Sequence, residues 1–335
     1  MCEQAKKKSN WEEEEDPNKH HPLIHCAELI LPWLTPQELA CISLTCKSLS
    51  QFSKKITIQR SFDASRSLEN LPVPFHNAVD HRPYAFFLYA PSQILPSQSP
   101  QRQPWGSSRF AASMCPVGES VSGCDCDCEA CEQGGASGCE LLGLDELEMG
   151  IMSECGLSCE CGLDCRNRLT QRGLSVKLKI LRDEKKGWCL YADQLIRQGQ
   201  FVCEYAGELL TTKEARSRQQ IYDELTCAGQ FSSALIVVRE HLPSGKACLR
   251  VNIDATRTGN VARFINHSCD GGNLSTMLVR SSGALLPRLC FFASKDIKEG
   301  EELTFSYGEI RVRSKGLQCF CGSPCCFGIL PSEHT

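Results

Sequence analysis

The pattern of apolar and polar positions divides the chain into a helical beginning and a β-rich second half. Between Leu23 and Phe52, apolar residues recur at helical intervals, and Pro32 and Thr35-Pro36 interrupt them. This spacing predicts two or three short helices. After residue 172 the apolar positions form short β-branched and aromatic runs, such as LSVKLKIL, QFVCEYAGE and SALIVV, separated by turn residues. Such runs are typical of strands, and they predict a mainly β protein with a small α content.

One segment of the second half departs from this strand pattern. TTKEARSRQQIYDEL has helical character, and Thr211 or Thr212 is a candidate for its N-cap because a threonine hydroxyl can accept a hydrogen bond from the first turn.

Two stretches have no regular apolar pattern. Residues 1–20 carry opposed runs of lysine and of acidic residues, which predict a solvated tail, and residues 91–123 are rich in Pro, Ser and Gln. We therefore expect a disordered tail at 1–20, a helical extension at 21–60, a lead-in and linker at 61–123, a cysteine-rich segment at 124–172, a β domain at 173–308 and a C-terminal segment at 309–335.

Composition narrows the class of protein. The chain has 335 residues, of which 41% are apolar, enough to bury a core. No apolar run approaches the ~20 residues that span a bilayer, and the first residues do not resemble a signal peptide, so we expect an intracellular protein without a membrane partner. Its 24 cysteines are then better explained as metal thiolates than as disulfides. The net charge of −4 favours a basic peptide as partner over sequence-specific nucleic-acid binding.

Nine cysteines crowd into the 42 residues from 124 to 165. Three tetrahedral zinc ions need twelve bonds, which nine thiolates supply if three of them each bridge two ions. A two-zinc, six-cysteine DNA-binding cluster is the rival, but it needs another spacing and a basic helix, whereas CDCDCEAC is acidic. The predicted ligands are Cys124, Cys126, Cys128, Cys131, Cys139, Cys155, Cys159, Cys161 and Cys165.

The stretch RFINHSC places His267 two residues before Cys269. Such a pair could be a thiolate nucleophile with its base, part of a metal site, or part of a cofactor pocket. The residues of this stretch alone leave the three alternatives open.

Several motifs in a fixed order resemble one family. CGLSCECGLDCRNRLTQRG resembles the end of the pre-SET zinc cluster in the Su(var) branch of SET-domain histone lysine methyltransferases, and DASRSLENLPVPF, from Asp63, is similar to the lead-in of that cluster. KKGWCLYA resembles the family's cofactor loop, RFINHSC its cofactor and pseudoknot motif, and ELTFSYG the segment with its catalytic tyrosine. The resemblance covers roughly residues 61–328 and is greatest to the short plant SUVR group. It implies a SET-domain pseudoknot β fold with a Zn3Cys9 pre-SET cluster and a post-SET zinc site.

The resemblance implies S-adenosylmethionine as cofactor and assigns residues to it. The implied cofactor-binding residues are Lys186, Gly187, Trp188, Tyr222, Arg263, Asn266, His267 and Tyr307. The implied catalytic and channel residues are Tyr307, Tyr205 and Phe305, with Phe291 as a further channel candidate. The family commonly has a tyrosine where this chain has Ala234, and Tyr222 is a candidate substitute for it.

The resemblance also resolves the role of Cys269. It implies a fourth zinc held by Cys269, Cys319, Cys321 and Cys326, with Cys325 as the alternative to Cys326. A nucleophilic His–Cys pair would leave these C-terminal thiols without a function. We therefore expect four zinc ions in each chain.

The function implied by the resemblance is methyl transfer to a histone tail lysine, at position nine of histone H3, to the di- or trimethylated state. The implied partner is the H3 tail or the nucleosome, and the implied location is chromatin in the nucleus. The alternative is a chromatin-binding scaffold with an inactive SET fold, or an adaptor protein. LTPQELACISLTCKSLSQFS resembles the helical core of an F-box, which implies a ubiquitin-ligase adaptor as a further partner.

Overall fold

The structure is a computed structural model that describes residues 22–95, 151–157, 159–162, 164–227, 233–241, 248–308 and 317–331. The chain divides into two compact units, Met1–Ile56 and Thr57–Thr335. No described helix is both long enough and apolar enough to cross a membrane. The predicted tail at 1–20 and most of the linker lie outside the described residues, and the domain boundaries stay predictions.

The first unit is helical. Its core is made of Ala27, Leu31, Leu39, Leu49 and Ile56. The helices are α1 (Pro22–His25), α2 (Ala27–Ile30), a 3-10 turn (Leu31–Trp33), α3 (Pro36–Ser43) and α4 (Lys47–Phe62), the last of which continues into the second unit. Four α-helices therefore occupy the stretch where the pattern predicted two or three, because α1 and α2 are single turns, too short to leave a period in the sequence.

A capping box fixes the start of α3. The Thr35 hydroxyl accepts from the Glu38 amide at 3.4 Å, and the Thr35 amide donates to Glu38 Oε2 at 2.7 Å. The two contacts satisfy amide groups that a helix start leaves unpaired. Binding of a ubiquitin-ligase adaptor to this F-box-like unit stays a prediction.

The second unit is built mainly from short strands, as predicted. They are β1 (Phe75–His76), β2 (Leu88–Tyr89), β3 (Ile151–Glu154), β4 (Leu178–Asp183), β5 (Gly187–Ala192), β6 (Phe201–Glu204), β7 (Gly207–Leu210), β8 (Leu235–His241), β9 (Cys248–Gly259), β10 (Asn266–His267), β11 (Leu274–Ser281), β12 (Arg288–Ala293) and β13 (Thr304–Phe305). Within the described residues these strands form four small sheets, in the orders β1-β4-β5, β10-β13, β3-β11-β12-β6 and β2-β9-β7, with β8 paired to β9.

Helix α5 (Thr212–Cys227) confirms the predicted helix of the second half. The Thr211 hydroxyl accepts from the Glu214 amide at 3.3 Å, and the Thr211 amide donates to Glu214 Oε2 at 2.9 Å. Thr211 is therefore the capping residue of α5.

The lead-in before the linker packs into the same core as the strands. Glu69 joins the two parts, because its carboxylate accepts from the Tyr89 hydroxyl at 2.7 Å and from the Leu174 amide at 3.0 Å. Tyr89, Leu178, Ile253 and Phe291 are among the fully buried side chains of this core.

The parallel pairing of β10 with β13 positions the candidate site. Asn266 lies opposite Thr304 and His267 opposite Phe305, although 36 residues separate the two strands. The pairing brings the RFINHSC motif beside the ELTFSYG motif.

Candidate functional site

Tyr307 is fixed against the RFINHSC segment by two hydrogen bonds. Its backbone amide donates to His267 Nδ1 at 3.1 Å, and its hydroxyl donates to the carbonyl of buried Ile265 at 2.8 Å. Although 39% of the residue is exposed, its hydroxyl is held by this carbonyl. Burial raises the pKa of Tyr307, so the hydroxyl stays protonated at neutral pH.

A row of aromatic side chains leads away from Tyr307. The ring centroid of buried Phe305 lies 5.0 Å from that of Tyr307 and 4.8 Å from that of Phe291, and Tyr205 follows at 6.3 Å from Phe291. The Tyr205 hydroxyl donates to the carbonyl of Ala234 at 2.7 Å, and burial raises the pKa of Tyr205. The structure thus brings together all four aromatic residues assigned to the channel. Ring faces such as these favour a methylated cation.

Glu302 links two of the candidate cofactor residues. Its Oε2 accepts from Lys186 Nζ at 2.6 Å, and its Oε1 accepts from Asn266 Nδ2 at 3.0 Å. Burial alone would lower the pKa of Lys186, but the hydrogen bond and charge of Glu302 outweigh burial and raise it. Sequence reasoning missed Glu302, although it begins the ELTFSYG motif.

The side chain of Asp183 fixes the loop before β5. Asp183 Oδ1 accepts from the amides of Lys185 and Lys186, each at 2.8 Å. Gly187 has φ of +87°, a conformation that favours glycine, and a Cβ at this position would lie 3.3 Å from Arg182 Nη1. Trp188 turns to the lead-in, with its ring 5.2 Å from that of Phe75.

These groups fit the amino-acid end of S-adenosylmethionine. An ammonium and a carboxamide meet at the Glu302 carboxylate, and Lys186 directly precedes Gly187; polar groups of this kind can bind the charges of a zwitterion. Lys186, Glu302 and Asn266 would hold this end of the cofactor.

Two other candidate cofactor residues, Arg263 and Tyr222, have partners of their own within the protein. The guanidinium of Arg263 lies 4.8 Å from the Phe87 ring, and burial lowers the pKa of Arg263 to about 10. Its Nη1 is buried without a hydrogen-bond partner among the described residues. The Tyr222 hydroxyl donates to Asp254 Oδ2 at 2.7 Å, where Arg218 also binds at 2.7 Å. In this structure Tyr222 therefore anchors α5 to β9, and its binding of the cofactor stays a prediction.

Four thiols, three of them in the C-terminal segment, converge as the family resemblance implied. The sulfurs of Cys269, Cys319, Cys321 and Cys326 lie within 4.8 Å of one another. Cys269 and Cys319 are 3.8 Å apart, the edge of about 3.8 Å that four sulfurs at ~2.3 Å from zinc would form. The alternative ligand, Cys325, is exposed and contacts Ser323 instead. The donor set fits a tetrahedral zinc ion.

His267 lies between this thiol group and Tyr307. Because its Nδ1 accepts the Tyr307 amide, its Nε2 is assigned the proton, and this atom is 3.3 Å from the Cys269 sulfur. Both ring nitrogens are thus engaged within the protein. An Nε2 that carries the proton cannot accept one from Cys269, and the binding of the cofactor by His267 stays a prediction.

A second thiol group lies in the cysteine-rich segment. The sulfurs of Cys155, Cys161 and Cys165 are within 4.8 Å of one another, and Cys159 accepts from the Gly156 amide at 3.2 Å. Arg168 Nη2 is 3.5 Å from the Cys161 sulfur, a cation beside clustered thiols. The remaining predicted ligands of this cluster lie outside the described residues: Cys124, Cys126, Cys128, Cys131 and Cys139.

Comparison with known proteins agrees with this geometry. Residues 187–308 match the SET domain family. The chain is 60% identical to the histone-lysine N-methyltransferase SUVR3 of Arabidopsis thaliana over 332 residues, 93% of this chain and 92% of that protein.

Two crystal structures are similar as well. The methyltransferase domain of human SETMAR matches 81% of this chain and 97% of its own, with a TM-score of 0.60 and 28% identity. KRYPTONITE, in complex with mCHH DNA, an H3(1–15) peptide and SAH, matches 80% of this chain and 53% of its own, with a TM-score of 0.56 and 29% identity. The chain therefore belongs to the plant SUVR group of SET-domain histone-lysine N-methyltransferases.

Proposed function

We propose that this enzyme transfers methyl groups from S-adenosylmethionine to lysine nine of the histone H3 tail and makes the di- or trimethylated product. The observation that carries the proposal is the aromatic row from Tyr205 to Tyr307, which ends beside the Asn266–Glu302–Lys186 group. The H3 peptide bound to KRYPTONITE supports the substrate, and the Su(var) resemblance supports the position of the lysine. Action on histones implies chromatin in the nucleus as its location.

The two tyrosine hydroxyls receive the lysine amine as acceptors. The Tyr307 and Tyr205 protons are donated to carbonyl oxygens, so the lone pairs of both hydroxyls are free to accept from the amine. The attacking amine must be neutral, with its lone pair facing the methyl group. S-adenosylmethionine, when bound, supplies that methyl group on its sulfonium and leaves as the neutral thioether S-adenosylhomocysteine. The methylammonium product loses its proton to solvent before the next transfer, so no side chain is assigned as a catalytic base.

The number of methyl groups follows from Phe305. A tyrosine at this position could hydrogen-bond the amine or a water molecule beside it, and a monomethylated lysine held in that way could not turn its lone pair back to fresh cofactor. Phe305 has no hydroxyl, and its ring packs between Phe291 and Tyr307. Room is therefore left for a second or third methyl group.

Prolonged incubation with an H3 tail peptide and excess cofactor, followed by mass spectrometry, tests the proposal. We expect di- or trimethylated lysine nine, a shift towards monomethyl product in Phe305→Tyr, and loss of most of the rate in Tyr307→Phe with little change in peptide binding. A product that stops at one methyl group in the unmodified enzyme would refute the role of Phe305.

The scaffold alternative is addressed by the same assay on a panel of histones. A chain with an inactive SET fold would bind histone peptides without methylating any of them. The presence of Asn266 and Tyr307, to which the family resemblance assigns cofactor binding and catalysis, supports the enzyme.

A further inference from the structure

A buried ion network joins three parts of the chain that are distant in sequence. Arg288, the first residue of β12, donates from Nη2 to Glu154 Oε2 at 2.9 Å and from Nη1 to Glu204 Oε2 at 3.2 Å. The side chains of Arg288, Glu154 and Glu204 are only 12%, 1% and 5% exposed. Glu154 directly precedes the thiol of Cys155, and Glu204 directly precedes Tyr205.

The Glu154 carboxylate holds the segment that follows the clustered thiols. It accepts from the Thr170 amide at 2.7 Å, from the Thr170 hydroxyl at 2.9 Å and from Gln171 Nε2 at 2.9 Å. Gln171 Nε2 also donates to the Cys155 carbonyl at 2.7 Å. Glu154 therefore ties the end of β3 to the 3-10 segment Arg166–Arg172, and β3 ends beside Cys155 while the 3-10 segment begins beside Cys165.

The Glu204 side of the network holds the backbone of Tyr205. Glu204 Oε1 accepts from the Gln93 amide at 3.0 Å, and the Glu204 carbonyl accepts from Asn260 Nδ2 at 2.7 Å. The Tyr205 amide donates to the carbonyl of Leu289, the neighbour of Arg288, at 2.7 Å. A displacement of Arg288 or Glu204 would therefore displace Tyr205.

Arginine is the side chain that this arrangement requires. Its two terminal nitrogens bind two separate carboxylates at once, which the single ammonium of a lysine does with poorer geometry. Without the guanidinium, two buried carboxylates would lose their shared counter-charge and repel each other. Arg288, Glu154 and Glu204 are not among the residues assigned to the amine or the cofactor, so the transfer step itself does not explain the network.

We propose that Arg288 is a positioning residue that fixes the channel tyrosine Tyr205 through Glu204 and makes its position depend on the pre-SET segment through Glu154. The proposal rests on the role proposed above for Tyr205. It adds a connection by which the zinc-binding segment acts on the channel without touching the substrate.

Arg288→Lys in the full-length, zinc-loaded protein is the principal test. At a temperature where circular dichroism and zinc content match the unmodified protein, we expect a fall in kcat of about ten- to a hundredfold and a changed ratio of mono- to di- and trimethyl product, because small misplacements of a reacting geometry are costly. The control is Arg197→Met, which removes the exposed ion pair to Asp296 and should leave kcat within about twofold.

Glu204→Gln and Glu154→Gln test the two ion pairs of Arg288 separately, and they remain informative if an Arg288 variant fails to fold. Each keeps the size of the side chain and a hydrogen-bond acceptor while removing one charge. We expect both to lower kcat several-fold and to change the product ratio with the zinc content unchanged. If Glu154→Gln leaves both values unaltered, the connection to the pre-SET segment is overturned.

Tyr205→Phe separates failure of this proposal from failure of the proposed site. If Tyr205→Phe leaves the kcat and the product ratio unaltered, the channel role of Tyr205 is wrong and the positioning role falls with it. If Tyr205→Phe changes them but folded Arg288→Lys and Glu204→Gln behave like the unmodified enzyme, the channel role stands and the positioning role of Arg288 is overturned.

Discussion

At the scale of single residues, Glu302 is the side chain on which two candidate cofactor residues depend. Lys186 is on the loop before β5, and Asn266 begins β10, so the two are 80 positions apart in sequence. The Glu302 carboxylate binds both, one on each oxygen. The side chains of Lys186 and Glu302 are 19% and 16% exposed, so their ion pair is screened less than a surface pair.

Glu302→Gln should therefore weaken cofactor binding. The carboxamide keeps one acceptor, but it loses the charge that attracts Lys186 and offers an N–H where an oxygen is needed. Because hydrogen bonds to charged groups contribute about 1.5–3 kcal/mol, we expect the Kd for S-adenosylhomocysteine to rise about tenfold or more. Isothermal titration calorimetry measures it, with Glu301→Gln, which alters the neighbouring carboxylate, as control. Equal Kd values for both variants would contradict the role of Glu302.

The sequence did not predict most contacts between side chains that are distant along the chain. The RFINHSC and ELTFSYG motifs were enough to predict that Asn266, His267 and Tyr307 lie together, because each motif is local and resembles a known family. No pattern indicated that both ring nitrogens of His267 would be engaged within the protein, or that the Tyr222 hydroxyl would bind Asp254. Such contacts depend on the folded positions of distant elements, which one sequence does not contain.

At the scale of elements, the C-terminal segment 317–331 contacts the cofactor loop. Phe320 lies between two of the four convergent thiols, Cys319 and Cys321, and Lys185 Nζ is 5.9 Å from the centroid of its ring. Lys185 is next to Lys186, which binds Glu302. An aromatic ring beside the four convergent thiols thus attracts a cation of the loop that would hold the cofactor.

Phe320→Ala should release this contact and speed the loss of cofactor. An exposed cation–π pair contributes about 0.5–1 kcal/mol, so we expect S-adenosylhomocysteine to dissociate about two- to fivefold faster. Stopped-flow displacement measures the rate. The matched control is Phe327→Ala, since Phe327 belongs to the same segment and is 64% exposed. A larger effect in the control than in Phe320→Ala would show that bulk, and not the contact with Lys185, retains the cofactor.

Elements differ in how far the sequence predicted them. Helix α5 has a long periodic pattern and a capping threonine, and the structure confirms it. The pairing of β10 with β13 involves two residues on each strand, which is too short for any period, so only the family resemblance implied it. That pairing is nevertheless the element contact that builds the site.

At the scale of the whole molecule, we expect metal ions to stabilise two cysteine-rich parts of the chain. Residues 124–165 contain nine thiols among Gly and Asp with few large apolar side chains, so we expect this segment to need metal for folding. The four thiols around Cys269 would likewise join the C-terminal segment to the RFINHSC motif. We propose three zinc ions in the first group and one in the second.

Serine variants test whether Cys326 or Cys325 is the fourth ligand of the C-terminal zinc ion. Cys269→Ser and Cys326→Ser should each lower the zinc content from four ions per chain to three and abolish most activity, because either change frees the same segment from His267 and the cofactor loop. Cys325→Ser should change neither value, since Cys325 is exposed and outside the convergent thiols. Mass spectrometry under native conditions counts the ions.

A normal Cys326→Ser beside an inactive Cys325→Ser would show that Cys325 is the ligand. If the fully loaded, unmodified protein holds only one or two zinc ions, the prediction of a three-zinc cluster is wrong, because the C-terminal group accounts for only one ion. The two results are independent, since serine variants at the C-terminus do not touch the nine upstream thiols. If the unmodified protein holds four zinc ions, and Cys269→Ser and Cys326→Ser each hold three, both the three-zinc cluster and the C-terminal ligand set are supported.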